Sequence, residues 1–337
     1  MISSPGIKPR EHVDMMYISI ETAIALASVL GNVLVVLVVC VNRALRNTTF
    51  CFIVSLAVAD IAVGVLVIPL AIIISLGFNT QFYTCLFLSC LLLIITQGSI
   101  LSLLAIAIDR YLRVKIPTRY CTIVTQRRAY VAVCLCWILS FLTGLVPMIG
   151  WNNRDAQQNL SSSSDIICKF TTVMRMDYMV YFNFFGLLCY LIPLLIMAVL
   201  CGYIFWTIRG NLREKPGNSV QTQSSNYLRK EKQLAGSLSL VLVLFALSWL
   251  PLHIMNCIAY FGGPNIVAAL YVGILLSHAN SAVNPVVYAF KIQKIKTAYL
   301  KIWRRCIECG EENRGSQTSQ TTDINLSINI NSVAKYE

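Results

Sequence analysis

Charged residues are scarce in this sequence. Only 12% of the 337 residues are Asp, Glu, Lys or Arg, whereas about a quarter are charged in a soluble globular domain. Hydrophobic residues make up 57% of the chain, so a water-soluble fold would have to expose many of them. The composition therefore excludes an ordinary soluble domain and indicates a protein that is surrounded largely by lipid.

Residue combinations typical of several other classes are also missing. The chain has three histidines, one of them His12 near the N-terminus, and shows no nucleophile with a base at the spacing that an enzyme needs. Transporters often contain an internal repeat that relates their two halves, and this sequence shows none. A transporter nevertheless remains the alternative from another class. The sequence does not begin with a cleavable signal peptide, so we expect the first apolar run to direct insertion.

Apolar runs long enough to cross a bilayer, which takes about 20 residues, recur along the chain. The seven runs cover residues 17–41, 50–76, 86–109, 129–149, 178–208, 234–261 and 266–290. Only the turn residues Gly262, Gly263 and Pro264 separate the last two runs, and without that break the count would be six. We therefore predict an all-α membrane protein, a bundle of seven transmembrane helices over residues 17–290.

Basic residues indicate the orientation of this bundle. If the N-terminus is outside, the outer segments hold five Lys and Arg residues, namely Lys8, Arg10, Arg154, Lys169 and Arg175, and the other 22 of 27 lie on or near the inner side. Because inner loops are richer in Lys and Arg, we predict that residues 1–16 are extracellular and the C-terminus is cytoplasmic in a plasma-membrane protein. The net charge of +12 favours anionic membrane lipid over nucleic acid as a partner.

The segment after the seventh run is basic and amphipathic, "KIQKIKTAYLKIWRRC". We predict a helix over residues 291–306 on the inner membrane surface, with Cys306 and Cys309 either palmitoylated, one or both, or free as thiols. Residues 307–337 are rich in Ser, Thr, Asn and Gln and predict a disordered cytoplasmic tail, and the polar segment 209–233 predicts a loop.

The outer side carries two further modification signals. Cys85 and Cys168 both face an oxidising compartment, so we predict a disulfide between them. Asn159 begins an N-glycosylation triplet in the outer loop and is predicted to carry a glycan, whereas the triplets at Asn47 and Asn325 lie inside. Most of the 13 cysteines stand singly in apolar runs, so we predict no metal site formed by cysteines. The one ion site that we predict is for sodium.

Asp60 lies about halfway along the second run, where a charged group costs roughly 2.5 kcal/mol or more. We predict that it binds a cation, sodium, together with Ser99, Asn280 and Asn284 at a similar depth. The alternative is a protonated acid that only hydrogen-bonds neighbouring helices.

The seventh run has a polar stripe. Ser277, Asn280, Asn284 and Tyr288 are three or four residues apart and therefore share one face of a helix. Pro285 removes one backbone hydrogen bond, and polar neighbours or water must satisfy the freed carbonyl. A polar stripe in lipid must face the interior of the bundle.

The sixth run repeats this arrangement beside Pro251. Trp249, His253 and Asn256 follow one another at spacings of four and three residues, and Thr96, Trp249 and Ser277 lie at a similar depth in their runs. Together with His278, these residues predict an outward-open cavity for a small polar ligand. His278 alone would indicate only helix packing.

These markers are distributed through the whole bundle. They are Gly31-Asn32, Asp60, Asp109-Arg110-Tyr111, Trp137, Pro193, Trp249 with Pro251, and Asn284-Pro285 with Tyr288. With them the chain resembles a rhodopsin-class G-protein-coupled receptor over about residues 15–306. The stretches "LLSHANS", "ALSWLPLHIMNC", "MDYMVYFNFF" and "PMIGWN" resemble the adenosine receptors, most closely the type 3 subtype.

The resemblance implies a site for adenosine. Phe170 would stack on the purine, and Asn256 would hydrogen-bond its exocyclic amine and ring nitrogen. Ser277 and His278 would hold the ribose, with Glu21 orienting His278. The other contacts would be Thr96 near the 5′ position, the apolar wall residues Leu93, Met179 and Leu252, and the floor residue Trp249.

The resemblance also implies how a signal would leave the molecule. Asp109, Arg110, Tyr111 and Tyr288 would form the switch for a heterotrimeric G protein, of the inhibitory type that lowers adenylate cyclase activity. Arrestin and receptor kinases would contact the tail, no cofactor is needed, and a sodium ion would favour the resting state. The alternative within the class is a receptor for another small polar ligand.

Some positions exclude related receptors, and others depart from the family pattern. His278 stands where an opsin has its retinal lysine, and Leu92 where an amine receptor has an acid. Thr171 replaces an acid of some adenosine subtypes, and His253 replaces a smaller residue of the type 3 pattern. The stretch from Asn183 to Pro193 is two residues longer than the pattern and puts Cys201 at a tyrosine position, which predicts either a bulge in the fifth helix or altered activation.

Overall fold

The computed structural model describes residues 9–42, 48–156, 165–186, 189–213, 220–263, 267–291, 295–297, 299–300 and 304. Seven long helical segments cross the described chain, which confirms the predicted bundle. In order, the first to seventh helices are Pro9–Val41, Thr48–Leu76, Phe82–Lys115, Gln126–Gly144, Tyr178–Phe184 continued by Leu191–Arg213, Val220–Tyr260, and Val267–Lys291.

Six of these helices are long and apolar enough to cross a membrane by length and composition. The seventh has 25 residues, and at 1.5 Å per residue it is about 37 Å long, which exceeds the hydrocarbon core of about 30 Å. It packs against the first and sixth helices. The third helix packs against the second, fourth and fifth helices and has the largest buried share of the six.

Several helices extend beyond the apolar runs that predict them. The first begins at Pro9, within the segment predicted to be the extracellular N-terminus. The fifth continues to Arg213 and the sixth begins at Val220, so most of the predicted inner loop 209–233 is helical. Polar residues end an apolar run without ending the helix, because a helix that leaves the membrane satisfies its own backbone hydrogen bonds.

The second helix is irregular where it contacts the first. It contains a π-helical turn, Val63–Val67, followed by an α-helix that has Pro69 in its first turn. A proline has no N–H to donate, so a local change of helical pitch at this point is expected. Gly64 lies in the π-helical turn, and a Cβ there would be 2.7 Å from a Val29 methyl and 2.9 Å from the Ala25 carbonyl oxygen.

The fifth helix is broken at the stretch that is longer than the family pattern. Its outer part, Tyr178–Phe184, is π-helical, and the α-helix resumes only at Leu191. A turn and bend lie between them at Phe185–Gly186 and Cys189–Tyr190. The structure thus accommodates the additional residues in an irregular segment of the fifth helix. Of the two predicted outcomes, a bulge or altered activation, this matches the bulge.

The outer face contains a small sheet that an all-α prediction omits. Strand β1, Phe78–Gln81, pairs antiparallel with strand β2, Asp165–Cys168, and Phe78 lies opposite Cys168. Four-residue strands in loops have too few residues for a periodic pattern to predict them. Cys168 is bonded to Cys85 at the start of the third helix, which confirms the predicted disulfide.

Some predictions fall on residues outside the described part of the chain. These are the glycosylation site Asn159, the palmitoylation sites Cys306 and Cys309, and the tail 307–337. Within the predicted amphipathic helix 291–306, the described positions 291, 295–297, 299–300 and 304 are helical.

Candidate functional site

Glu21 and His278 form a buried pair between the first and seventh helices. The Nδ1 atom of His278 lies 2.9 Å from each carboxylate oxygen of Glu21, which is fully buried. A buried carboxylate needs such a partner, because burying an unpaired charge is costly. An ionised carboxylate only accepts hydrogen bonds, so Nδ1 is the donor in this pair. In a neutral imidazole with this tautomer, Nε2 is an acceptor for another group.

Two tyrosines hold the same pair of helices together near Glu21. The rings of Tyr17 and Tyr271 are stacked with centroids 4.7 Å apart, and Tyr17 is buried. The spacing of polar residues did not identify these tyrosines, since aromatic side chains are common in apolar runs. They fix the first helix, which carries Glu21, against the seventh.

Two hydroxyl groups predicted to face the cavity donate to their own helices. Ser277 Oγ donates to the Ile274 carbonyl at 2.7 Å, and Thr96 Oγ1 donates to the Leu92 carbonyl at 2.9 Å. A hydroxyl that donates in this way keeps lone pairs that accept. Both residues can therefore accept a hydrogen bond from a ligand hydroxyl.

Asn256 on the sixth helix is half-buried, and its side chain makes no hydrogen bond to another described residue. One turn earlier, at Leu252, the sixth helix comes close to the seventh. A Cβ added at Gly273 of the seventh helix would lie 3.2 Å from Leu252 Cα. The side-chain amide of Asn256 thus keeps both its donor and its acceptor for a ligand.

The apolar residues of the predicted site belong to three parts of the fold. Phe170 and Leu93 pack on the cluster that includes the disulfide, where β2 and the third helix meet. Met179 is buried in the π-helical part of the fifth helix, and Leu252 and Trp249 are half-buried on the sixth. Phe170 follows Cys168 by two residues, and Cys168 is bonded to Cys85 of the third helix. The disulfide therefore holds Phe170 near the third helix.

His253, which the spacing groups with Trp249 and Asn256, also contacts the fifth helix. It is buried, and its ring is stacked on Phe184 and packed against Tyr190 of the fifth helix. Spacings of four and three residues spread side chains over an arc of the helix, and spacing alone does not identify the neighbouring helix.

The predicted sodium site is a buried polar cluster. Asn284 Nδ2 donates to Asp60 Oδ2 at 2.8 Å, while Asp60 Oδ1, Ser99 Oγ and Asn280 Oδ1 are buried and have no hydrogen-bond partner among the described residues. Buried oxygen atoms without partners are rare. The cluster offers carboxylate, hydroxyl and amide oxygens, which are the ligands that hard cations prefer.

The backbone around Asp60 is tied to the first helix. Ser28 Oγ donates to the Asp60 carbonyl at 2.8 Å, and Asn32 Nδ2 donates to the carbonyls of Ser28 and Ser281, each at 2.9 Å. The Gly31-Asn32 marker identified Asn32, but nothing in the spacing identified Ser28. These bonds fix the first, second and seventh helices at the depth of Asp60.

An ion pair lies at the inner end of the third helix. Arg110 Nη2 lies 2.8 Å from Asp109 Oδ2, and both side chains are buried. Asp109 also accepts from Thr49 Oγ1 at 2.7 Å and from the Tyr120 hydroxyl at 2.5 Å. The sequence analysis missed Thr49 and Tyr120, which approach Asp109 only through the tertiary packing.

Tyr120 lies on a short helix, Pro117–Ile123, outside the spans. Burial, and then the hydrogen bond to Asp109, raise the pKa of its hydroxyl, which therefore remains a donor. The third switch residue, Tyr111, faces Tyr203 with ring centroids 5.1 Å apart, and Tyr288 is fully buried on the seventh helix.

A cleft next to this ion pair lies between the third, fifth and sixth helices. Its lining includes Arg110, Met197, Cys201, Ile204, Ser239 and Leu242. Cys201, which the family pattern places at a tyrosine position, lines this cleft together with Arg110.

Comparison with known proteins identifies relatives of the whole bundle. The family described as "7 transmembrane receptor (rhodopsin family)" matches residues 31–288. The chain is 55% identical to the adenosine receptor A3 of Bos taurus over 295 residues, which are 87% of this chain and 91% of the relative. It is 54% identical to that of Canis lupus familiaris over 296 residues, 88% and 93% of the two chains. It is 53% identical to that of Ovis aries over 310 residues, 91% and 96% of the two chains.

Proposed function

Because the chain belongs to the rhodopsin family of seven-transmembrane receptors, and within it to the adenosine receptors, we propose that it is a plasma-membrane receptor for extracellular adenosine. It is a receptor and not an enzyme. The observation that carries the proposal is the Glu21–His278 pair, which leaves a histidine acceptor at the outer part of the bundle. Asn256 supports it with an amide that has no partner among the described residues.

We infer a role for each part of the site. Phe170 stacks on the purine and Asn256 reads its polar edge, while Ser277 and His278 accept from the ribose hydroxyls. Thr96 contacts the 5′ position, Leu93, Met179 and Leu252 form apolar walls, and Trp249 forms the floor.

Competition binding tests this proposal. Membranes that contain the receptor should bind a radiolabelled adenosine analogue, and unlabelled adenosine should displace it more strongly than inosine, which lacks the exocyclic amine. Membranes of untransfected cells are the control. Equal displacement by both nucleosides, or no more saturable binding than in the control membranes, would contradict the adenosine assignment.

We infer that an agonist acts by shifting the bundle between two arrangements. A ligand that contacts Ser277, His278 and Trp249 more favourably in one arrangement increases its population. In the other, Arg110 stays paired with Asp109, as in this structure. Opening this end would give a G protein access to Arg110, Tyr111 and Tyr288.

The proposed partner is an inhibitory G protein, so agonist should lower cyclic AMP in cells treated with forskolin. A toxin that ADP-ribosylates inhibitory G proteins should abolish this decrease. An agonist-induced rise in cyclic AMP would instead indicate the stimulatory class. Arrestin and receptor kinases are proposed partners of the tail, and anionic lipid is a proposed partner of the basic segment 291–306.

We also propose that sodium binds at Asp60. The unpartnered oxygens of Asp60, Ser99 and Asn280 fit a hard cation, and Asn284 would complete the site through its own oxygen or through water. Among the described residues no three His, Cys, Asp or Glu residues cluster as a transition-metal site would require. These residues would hold the ion in the closed arrangement and favour the resting state.

A further inference from the structure

The sixth helix departs from regular α-helical hydrogen bonding over residues 244–251. Pro251 has no N–H, so the Leu247 carbonyl four residues earlier loses its usual donor. Ser248 Oγ donates to the Leu244 carbonyl at 2.7 Å, and a hydroxyl that bonds back to its own helix in this way often bends the helix. Prolines and such inserted side chains are where helices bend, so we call residues 244–251 the hinge segment.

Tyr190 of the fifth helix is hydrogen-bonded to this hinge segment. Its hydroxyl donates to the Ala246 carbonyl at 3.1 Å. In a regular helix the Ala246 carbonyl accepts from the N–H of Leu250, four residues later, so the bond from Tyr190 is an additional contact from outside the helix. The hinge segment is therefore tied to the fifth helix through the Tyr190 hydroxyl.

The Tyr190 side chain is held firmly in place. It is fully buried, and its ring centroid lies 5.9 Å from that of Phe245 and 4.2 Å from that of His253. Its carbonyl accepts from the N–H of Leu194 at 3.0 Å, which joins its backbone to the α-helix that begins at Leu191. A buried hydroxyl that loses its acceptor has no water to replace it, so this bond favours an arrangement in which the two helices stay close.

The hinge segment separates two parts of the sixth helix that belong to different sites. Before it, Ser239 and Leu242 line the inner cleft with Arg110. After it, Leu252 and Asn256 belong to the proposed ligand site. Bending at the hinge segment would move the cleft-lining part relative to the ligand-binding part. A bond to the hinge segment opposes this movement when it is made in one arrangement and broken in the other.

We propose that the Tyr190 hydroxyl is a latch on the hinge segment of the sixth helix. It stabilises the arrangement of this structure, in which Arg110 is paired with Asp109, and its bond to the sixth helix breaks when that helix bends to open the inner cleft. Tyr190 is thus a positioning residue that acts through the sixth helix. The inference rests on the proposed function insofar as opening the cleft leads to G-protein activation.

The hydroxyl can be removed without the ring. Tyr190→Phe deletes only the donor and keeps a ring that packs against Phe245 and His253, so the fold should be preserved. Tyr130→Phe makes the same substitution at a tyrosine of the fourth helix that is 56% exposed, and it is the matched control.

The first test measures basal nucleotide exchange on a purified inhibitory G protein, with equal amounts of purified receptor in nanodiscs and no ligand. Exchange should rise about two- to tenfold in Tyr190→Phe, the factor expected for losing one hydrogen bond, and should not change in Tyr130→Phe. Where agonist stimulates exchange in wild type, unchanged basal exchange in Tyr190→Phe would show that the bond persists in both arrangements. Lower basal exchange would show that the bond stabilises the other arrangement. Either result would overturn the latch.

Hydrogen–deuterium exchange in the same nanodiscs separates this proposal from the proposed function. Peptides that cover residues 244–254 should exchange about two- to tenfold faster in Tyr190→Phe than in wild type, because local opening of the hinge segment no longer breaks the bond. Peptides of the fourth helix should be unchanged. This measurement needs neither adenosine nor a G protein.

If wild type bound no adenosine and activated no G protein, the proposed function would fail, while faster exchange at the hinge segment would still support the latch. Equal exchange of these peptides in wild type and Tyr190→Phe would overturn the latch, whatever the ligand or partner.

Discussion

At the scale of single residues, the proposed ligand site has polar groups on two different helices. The seventh helix offers a histidine acceptor, and the sixth helix offers the free amide of Asn256. A nucleoside has hydroxyl groups at one end and a polar base edge at the other. One ligand can therefore bridge the two helices.

The ribose assignment predicts a selective loss in His278→Ala. A buried group left without its partner costs about 1–3 kcal/mol, and each 1.4 kcal/mol is a factor of ten. Adenosine should therefore lose at least about tenfold in affinity, while a ribose-free xanthine should lose less than about threefold. Competition binding with surface expression checked gives both values. Equal losses for the two ligands would make His278 a packing residue.

Asn256→Ala is the complementary variant, because both ligands have a polar base edge. Adenosine and xanthine should each bind at least about tenfold more weakly, since two hydrogen bonds are lost. Ile254→Ala, an exposed residue of the same helix outside the proposed site, is the control and should leave both affinities unchanged. Full retention of xanthine binding in Asn256→Ala would contradict the assignment of Asn256 to the base.

The sodium assignment predicts a salt effect that one substitution removes. Sodium held by Asp60 in the closed arrangement should lower agonist affinity as its concentration rises, because ligand and ion favour different arrangements. Asp60→Asn should abolish this dependence, and replacing sodium with N-methylglucamine at constant ionic strength is the control. The same sodium sensitivity in both proteins would support the alternative of a protonated acid.

Spacing identified residues whose function depends on their own chemistry, and missed those that act through tertiary neighbours. Asp60, Asn284, His278 and Glu21 are polar groups in apolar runs, and the structure does bring Asp60 to Asn284 and Glu21 to His278. Thr49 and Tyr120 are ordinary interface residues in the sequence. Only the approach of the inner helices brings them to Asp109.

At the scale of elements, the fifth helix illustrates the limit of periodicity. Its length and apolar composition predicted a span over 178–208, and the comparison with the family pattern predicted a bulge or altered activation. The pattern could not predict that the irregular segment would be π-helical or that its rings would pack on His253. Those features depend on which side chains of the sixth helix lie opposite.

The close approach of the first and second helices makes a stability prediction. A methyl group at Gly64 would meet Val29 and the rigid carbonyl of Ala25 at less than 3.0 Å. Gly64→Ala should destabilise the bundle by about 1–3 kcal/mol, as overpacking does, and lower the unfolding temperature in detergent. At Gly202, nothing lies within 4 Å of an added Cβ, so Gly202→Ala is the matched control and should not destabilise. Equal unfolding temperatures for both variants would contradict the close packing.

At the scale of the whole molecule, hydropathy predicted the number of helices for a physical reason, whereas the direction inferred from charge stays a prediction. In lipid every backbone group must be satisfied within the chain, so each apolar run of sufficient length becomes a helix. The ends of the helices were less predictable, because no comparable constraint acts outside the membrane. The small outer sheet and the helical continuation from Val220 are examples.

The orientation has structural support in the disulfide between Cys85 and Cys168, since disulfides persist in oxidising compartments. In the predicted orientation, the start of the third helix lies on the outer side. The inner ends then hold Asp109 and Arg110, where a cytoplasmic partner would bind. The proposed ligand and partner sites lie at opposite ends of one bundle, so a signal between them would have to pass through the helices.

This orientation predicts which asparagine carries a glycan. Asn159 begins a glycosylation triplet in the outer loop, and Asn325 begins one in the tail, which the excess of inner Lys and Arg assigns to the cytoplasm. A glycosidase that removes N-linked glycans should therefore increase the gel mobility of wild type and of Asn325→Gln, but not of Asn159→Gln. The two variants are matched controls for each other, because they make the same substitution on opposite sides of the membrane. A shift that is lost in Asn325→Gln and kept in Asn159→Gln would reverse the orientation, and with it the assignment of His278 to an extracellular ligand.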